Sequence, residues 1–330
     1  MAIDLDFAPD AARARAIDAS MLGSLGDSLA YLRQAIGGEL VFDGGAISRL
    51  IEDLSAGQSV APGVFARYYE LVTAIEDGDE PEATRLLAEL AAAPRIGKDC
   101  RILELASADL GDECRRYSRM MSGDSDLDIG FGPPDAEAAV RFRAGLAAGF
   151  SLLDRAAPQM AGEIRALVRE LIIAGCDPTK PYEFDGGSHY QLWGALFLNG
   201  ANDPNPVLVA EALAHECGHS LLFGFCVDEA LVENDDDELF ASPLRQDQRP
   251  MDGIYHATFV SARMHWLMAR LSENAALPYA DRQTAAEAAK VDRRHFEAGY
   301  GVVADHGRLT RLGRGLMARA KAYMDGGAEH

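Results

Sequence analysis

The segment Asn205-Pro-Val-Leu-Val-Ala-Glu-Ala-Leu-Ala-His-Glu-Cys-Gly-His-Ser-Leu-Leu-Phe-Gly224 decides how the rest of the chain is read. Asn205 has the side chain of an N-cap and Pro206 the fixed φ of a first helical residue, so a helix is predicted from Pro206 to Phe223, stopped by Gly224. Val207, Leu208, Val209, Leu213, Leu221, Leu222 and Phe223 make it apolar nearly all round, the pattern of a buried helix. Inside it lies His215-Glu216-Cys217-Gly218-His219. Residues four apart share a helical face with Cβ atoms about 5–6 Å apart, so both imidazoles can point at one metal while Glu216 sits beside them. Two histidines and a glutamate on a buried helix need polar partners, and a metal ion is the simplest one. The structural alternative is a pair of core histidines satisfied by hydrogen bonds.

Two histidines do not complete a site, and three residues compete for the third position. Glu238 lies nineteen residues beyond His219, the spacing at which zinc peptidases of the thermolysin type place a helical glutamate. Its neighbours Asp235, Asp236 and Asp237 read instead as a solvated acidic turn. His256 opens a strongly apolar helix that follows Pro250 and Gly253 and runs through Ala269, and it faces inward there. His265 comes nine residues later and points the opposite way, as a surface or core histidine. Arg263 follows His256 by seven residues, which returns it to within about 20° of the same helical face. A zinc peptidase would use Glu216 to activate the metal-bound water, but it needs no arginine behind a third ligand. A mononuclear iron oxygenase must hold a dicarboxylate co-substrate at both ends, and an arginine fork suits the distal one. The alternative for Arg263 is an ion pair with one of the many acids.

Upstream, residues 182–199 carry the one convincing β signal, with Tyr-Glu-Phe, Asp-Gly-Gly and then Ser188 to Asn199 suggesting a hairpin. The strand Ser188 to Asn199, if an exposed edge, could align an extended peptide by backbone hydrogen bonds. Helix periodicity runs through roughly 20–36, 45–56, 63–78, 82–94, 136–155 and 158–175, and again through 281–299 and 307–324. His295 and His306 in that last region read as structural or surface residues. The Gly-, Pro- and Asp-rich run Ser122 to Pro134 cannot continue a helix. These signals predict a helical N-terminal region over 1–130 and a metal-binding catalytic region over 131–330. The expected fold is mainly α, with a small antiparallel β element next to the metal-binding helix, a zincin-like strand plus HExxH helix.

The chain has 330 residues, 48% of them hydrophobic and 25% charged, which excludes disorder and fibres. With 31 basic and 52 acidic residues its net charge is −21, so nucleic acid and anionic membrane surfaces are poor partners. The acidic start MAIDLDFAPD is unlike a secretory signal, and no uncharged apolar run reaches the length of a membrane span. A cytoplasmic protein is expected. The five cysteines, Cys100, Cys114, Cys176, Cys217 and Cys226, are odd in number and widely spread, so neither a disulfide framework nor a thiolate zinc site is suggested.

The residues His215-Glu-Cys-Gly-His219, Ala241-Ser-Pro-Leu-Arg-Gln-Asp-Gln-Arg-Pro250 and Gly253-Ile-Tyr-His256-Ala-Thr-Phe-Val-Ser-Ala-Arg263 resemble the HExxH-motif peptide-modification proteins. These are 2-oxoglutarate-dependent peptide β-hydroxylases that accompany ribosomally made peptide natural products. The resemblance covers about 185–270, and the first 130 residues match only in being helical. It implies a non-haem Fe(II) held by His215, His219 and His256, with 2-oxoglutarate and dioxygen as co-substrates. It further implies hydroxylation at a β-carbon within a precursor peptide. A three-histidine set departs from the usual two-histidine, one-carboxylate triad. Glu216 would then orient a ligand or a water rather than serve as hydrolytic base. Arg263 is the first candidate for the distal carboxylate of 2-oxoglutarate, with Arg249 or Arg245 in reserve. The alternatives are a zinc-dependent metallopeptidase, with Zn(II) and Glu238 as third ligand, and a non-catalytic peptide-binding protein.

Overall fold

The computed structural model describes residues 4–36, 40–123, 130–177, 179–180, 184–244 and 247–326. Among them the chain is mainly helical. In order, it runs through α1 (Ala11–Ala35), α2 (Gly44–Ser55), α3 (Gly63–Glu76), α4 (Glu80–Ala92), β1 (Arg101–Glu104), α5 (Glu113–Gly123), α6 (Ala136–Ala156), α7 (Pro158–Leu167) and β2 (Glu170–Ala174). It continues through β3 (Gly186–Gly187), β4 (Ala195–Asn199), α8 (Pro206–Phe225), β5 (Leu239–Ala241), β6 (Gln248–Pro250), α9 (Met251–Glu273), α10 (Tyr279–His306) and α11 (Arg311–Met324).

Two compact units share the chain, one formed by Met1–Ala14, Arg141–Ile164 and Asp203–His330, the other by Arg15–Val140 and Arg165–Asn202. The expected division at 130/131 is therefore not where the chain separates. β1, before residue 130, pairs in parallel with β2, well after it. A single sheet thus ties both sides of the Gly- and Pro-rich run into one unit. Residues 124–129 of that run lie outside the described residues.

In the sheet-bearing unit the strand order is β1-β2-β4-β3. Glu170 is level with Arg101 on one side and with Ala195 on the other, both pairings parallel, while Gly186 faces Leu198 in the antiparallel β3 pairing. β2 and β4 are buried along their whole length, as parallel strands covered on both faces are. This corrects two expectations. Residues 158–175 form a helix only to Leu167, because Glu170-Leu-Ile-Ile-Ala174 is a short apolar run with β-branched residues at its centre, and such a run suits a buried strand as well as a helix. The strand expected over Ser188 to Asn199 is confined to β4, after a single 3-10 turn at Tyr190–Leu192, and it is internal rather than an exposed edge. Peptide alignment along it is thereby removed. An antiparallel pairing is present, β3 against β4, but its first strand is Gly186–Gly187, which the sequence assigns to the turn. Of the proposed first strand, residues 182 and 183 lie outside the described residues.

The core of this unit gathers Leu103, Tyr117, Ile172, Leu192 and Phe197, among others. Tyr117 donates a hydrogen bond to Glu170 at 2.7 Å and accepts one from the Gly63 amide at 3.2 Å. Burial raises the Glu170 carboxyl above its ordinary pKa.

The second unit is built on α8, α9 and α10. α9 and α10 pack along each other as a helical hairpin, and α8 lies against α9. Two glycines permit these approaches. A Cβ on Gly218 would come within 3.0 Å of Val260 Cγ1, and one on Gly299 within 2.2 Å of Thr258 Oγ1. The antiparallel pair β5–β6, with Phe240 level with Arg249, leads directly into α9. Small sheets in a mainly helical chain, one of them two-stranded and antiparallel, agree with the coarse expectation. Among the described residues no helix is long and apolar enough to cross a membrane. All five cysteines are free thiols, with Cys217 buried and the rest half-buried.

Candidate metal centre

Helix α8 forms for the reasons legible in its sequence. The Asn205 side chain accepts from the Val207 amide at 2.9 Å, and Pro206 occupies the first turn. The helix ends two residues later than expected, at Phe225, and Gly224 stays inside its last turn. Its His215 and His219 rings meet edge to face, with Nε2 atoms 3.2 Å apart. Glu216 is buried beside them, Oε1 3.9 Å from His215 Nε2.

Proton bookkeeping shows what this pair can hold. His215 Nδ1 lies 3.1 Å from the Met264 sulfur, a weak acceptor, and a hydrogen on that nitrogen would leave the Nε2 lone pair for a metal. His219 Nδ1 lies 3.0 Å from His256 Nδ1. His256 Nε2 is 3.8 Å from Asp252 Oδ2, which favours the hydrogen on that nitrogen and leaves His256 Nδ1 as acceptor. His219 Nε2 faces His215 Nε2 across 3.2 Å. With metal–nitrogen bonds of about 2.0–2.1 Å, neighbouring ligand nitrogens fall roughly 3.0–3.4 Å apart. The His215–His219 pair fits a metal on that measure.

His256 is brought to the pair, with its Nδ1 against His219 Nδ1, while the two Nε2 atoms of His215 and His219 face each other. It stacks on the His219 ring, 5.3 Å between centroids and 16° between planes, and reaches the nitrogen of His219 that points away from His215. That is the place of an outer partner, which fixes ring orientation and tautomer. Burial pushes its pKa below the ordinary imidazole value, Asp252 opposing, and favours the neutral ring that this role requires. Among the described residues no three His, Cys, Asp or Glu side chains stand together as a ready metal cage.

The other candidates are placed elsewhere. Arg263 is fully buried in an ion pair with Glu163 and also donates to the Phe7 carbonyl. Glu163 accepts from Arg13 at 3.0 Å and from the Asp10 amide at 3.1 Å as well. The guanidinium fork is thus spent on a buried carboxylate, and at 0% exposure no co-substrate reaches it. The ion-pair alternative describes Arg263, and its assignment to 2-oxoglutarate is corrected. The same helical stripe that seemed to aim it at a ligand aims it into the core.

Arg249, at the end of β6, is half-buried and pairs with Asp247 at 2.7 Å; Arg245 lies outside the described residues. Glu238 is held by Arg308 at 2.6 Å and caps its own acidic turn through the Asp235 amide. The hydrogen bond from Arg308 holds its carboxyl below the ordinary range. It does not approach the metal helix as a ligand. His265 contacts Tyr323 Oη at 2.8 Å, and burial, aided by Arg293, pushes it down to about 4. His306 stacks on Phe240.

Two features escaped the sequence. Met264, one residue past Arg263, contacts His215 Nδ1, and a thioether in an apolar helix gives no signal of that kind. Glu211 lies one turn before His215, and burial raises its carboxyl to about 7. The stripe Glu211, His215, His219 was legible at four-residue spacing, but the raised carboxyl was not. No protein-family model matches the chain, and no curated protein matches it.

Proposed function

We propose that the chain is a non-haem Fe(II), 2-oxoglutarate-dependent oxygenase that hydroxylates a β-carbon in a ribosomally made precursor peptide. The observation that carries this reading is the donor set: two histidine nitrogens 3.2 Å apart, with a third histidine behind one of them. A catalytic zinc site keeps three protein ligands and a single open position. Two protein ligands leave more positions open, as a chelating co-substrate and dioxygen require. When bound, the iron with its co-substrates supplies the oxidising chemistry. The protein's own tasks are narrower. His215 and His219 present lone pairs to the ion, Met264 and His256 fix their tautomers, and Asp252 steadies His256. Glu216, buried next to His215, orients a ligand or a water. With Arg263 committed to Glu163, Arg249 becomes the candidate for the distal carboxylate of 2-oxoglutarate.

The zinc peptidase is the second reading, favoured by Glu216 beside His215 in the position of a hydrolytic base. Anaerobic reconstitution with Fe(II) and measurement of 2-oxoglutarate conversion to succinate separates the two. Turnover with Fe(II) is expected. Peptide cleavage with Zn(II) and no succinate formation would overturn the oxygenase. Metal analysis of the purified protein tests the non-catalytic alternative, which requires that no metal bind.

A further inference from the structure

β5 and β6 form a two-stranded sheet, so each strand has an outer side. Successive residues of an antiparallel pair turn their N–H and C=O groups alternately toward the partner strand and away from it. Among the described residues no hydrogen bond from outside the pairing reaches Leu239, Phe240 or Ala241, which leaves the outward set of β5 open to another strand. β6 is the poorer edge, because Pro250 has no N–H to donate. Leu239 is 51% exposed and Ala241 is exposed as well, while Phe240, on the opposite face, stacks on His306. The charge beside this edge selects its occupant. Residues 228–238, which lead into β5, hold seven acids and no basic residue. Arg308 is committed to Glu238, and among the described residues no ion pair takes up Glu233, Asp235, Asp236 or Asp237. A second copy of this chain would bring the same acids against each other.

We propose that the outer edge of β5 is a docking strip that takes an extended, Lys- or Arg-bearing peptide segment as a third strand of the β5–β6 sheet. Main-chain hydrogen bonds to β5 supply the pairing. Asp235, Asp236 and Asp237, all exposed at its entrance, attract the basic side chains. Leu239 and Ala241 meet apolar side chains at alternate positions of the segment. The strip adjoins the histidines: β6 runs directly into α9, and His256 lies six residues beyond Pro250, about 9 Å along the helix axis. A segment seated on β5 therefore has its continuation within reach of α8 and α9. Its use in presenting a residue for hydroxylation rests on the function proposed above; the docking itself does not.

Recognition by backbone and charge needs no particular sequence, so a labelled peptide of alternating Lys and Val tests it against the metal-free full chain by fluorescence anisotropy. Binding is expected, and a Glu–Val copy is expected not to bind. A Lys–Val copy with its central amides N-methylated keeps the charge and loses the donors, and is expected to bind about tenfold more weakly. The double variant Asp236→Asn, Asp237→Asn is expected to bind the parent peptide several-fold more weakly. Hydrogen exchange of the wild-type chain is expected to slow at the Leu239–Ala241 amides when the peptide is added. Absence of binding, equal binding of the N-methylated copy, or protection confined to other elements overturns the docking strip. Protection of the same amides by raising the protein concentration alone would give the edge to a second copy and overturn it as well. Because no metal is present, such a failure leaves the iron reading to its own turnover test.

Discussion

His256 on α9 meets His219 on α8 through their Nδ1 atoms, 3.0 Å apart, and so approaches α8 from behind the nitrogen that faces His215. This one contact assigns different weights to the three histidines. His219→Ala removes one of the two converging lone pairs and is expected to abolish Fe(II) or Zn(II) binding in equilibrium titration. His256→Ala removes an outer partner, for which a loss of about 10–100-fold in metal affinity is expected. Equal abolition by both variants would make His256 a direct ligand.

The buried cluster around Glu163 separates structural from functional arginines. Arg263→Met leaves Glu163 with Arg13 as its remaining guanidinium partner, and breaking such a buried pair costs about 3–5 kcal/mol. Urea unfolding should register that loss. Arg249→Lys is expected to leave stability nearly unchanged and to weaken 2-oxoglutarate binding several-fold, because a point charge does not replace a bidentate fork. Unchanged co-substrate affinity in Arg249→Lys would remove Arg249 from the site.

Glu238→Ala is expected to leave metal affinity at the wild-type value, since Arg308 and the Asp235 amide hold that carboxylate in an exposed turn. A variant that no longer retains Zn(II) in metal analysis would restore the peptidase geometry.

Gly299→Ala probes the packing that carries the site. Its new Cβ would meet Thr258 Oγ1, which is fully buried and already bonded to the Ile254 carbonyl, leaving it little room to withdraw. Overpacking of this kind costs about 1–3 kcal/mol. Chemical denaturation measures it, and an unaltered midpoint would show that α10 can move away from α9 without loss.

The sequence by itself determined helix α8 almost completely. Asn205, Pro206, the apolar circumference and the four-residue spacing of His215 and His219 are all local, and local backbone hydrogen bonding and side-chain periodicity are what α-helices obey. It also singled out His256 as the histidine of α9 that meets the pair, because inward facing follows from the apolar pattern around it. What only the tertiary structure decided depends on partners distant along the chain. Leu171, Ile172 and Ile173 join a strand because β1 and β4 flank them with backbone donors and acceptors, which no property of the segment announces. Arg263 is claimed by Glu163, one hundred residues earlier, and Glu238 by Arg308, seventy residues later. In each case a charge goes to whichever opposite charge the packed chain places beside it, and a one-dimensional pattern carries the direction of a side chain without the identity of what it meets.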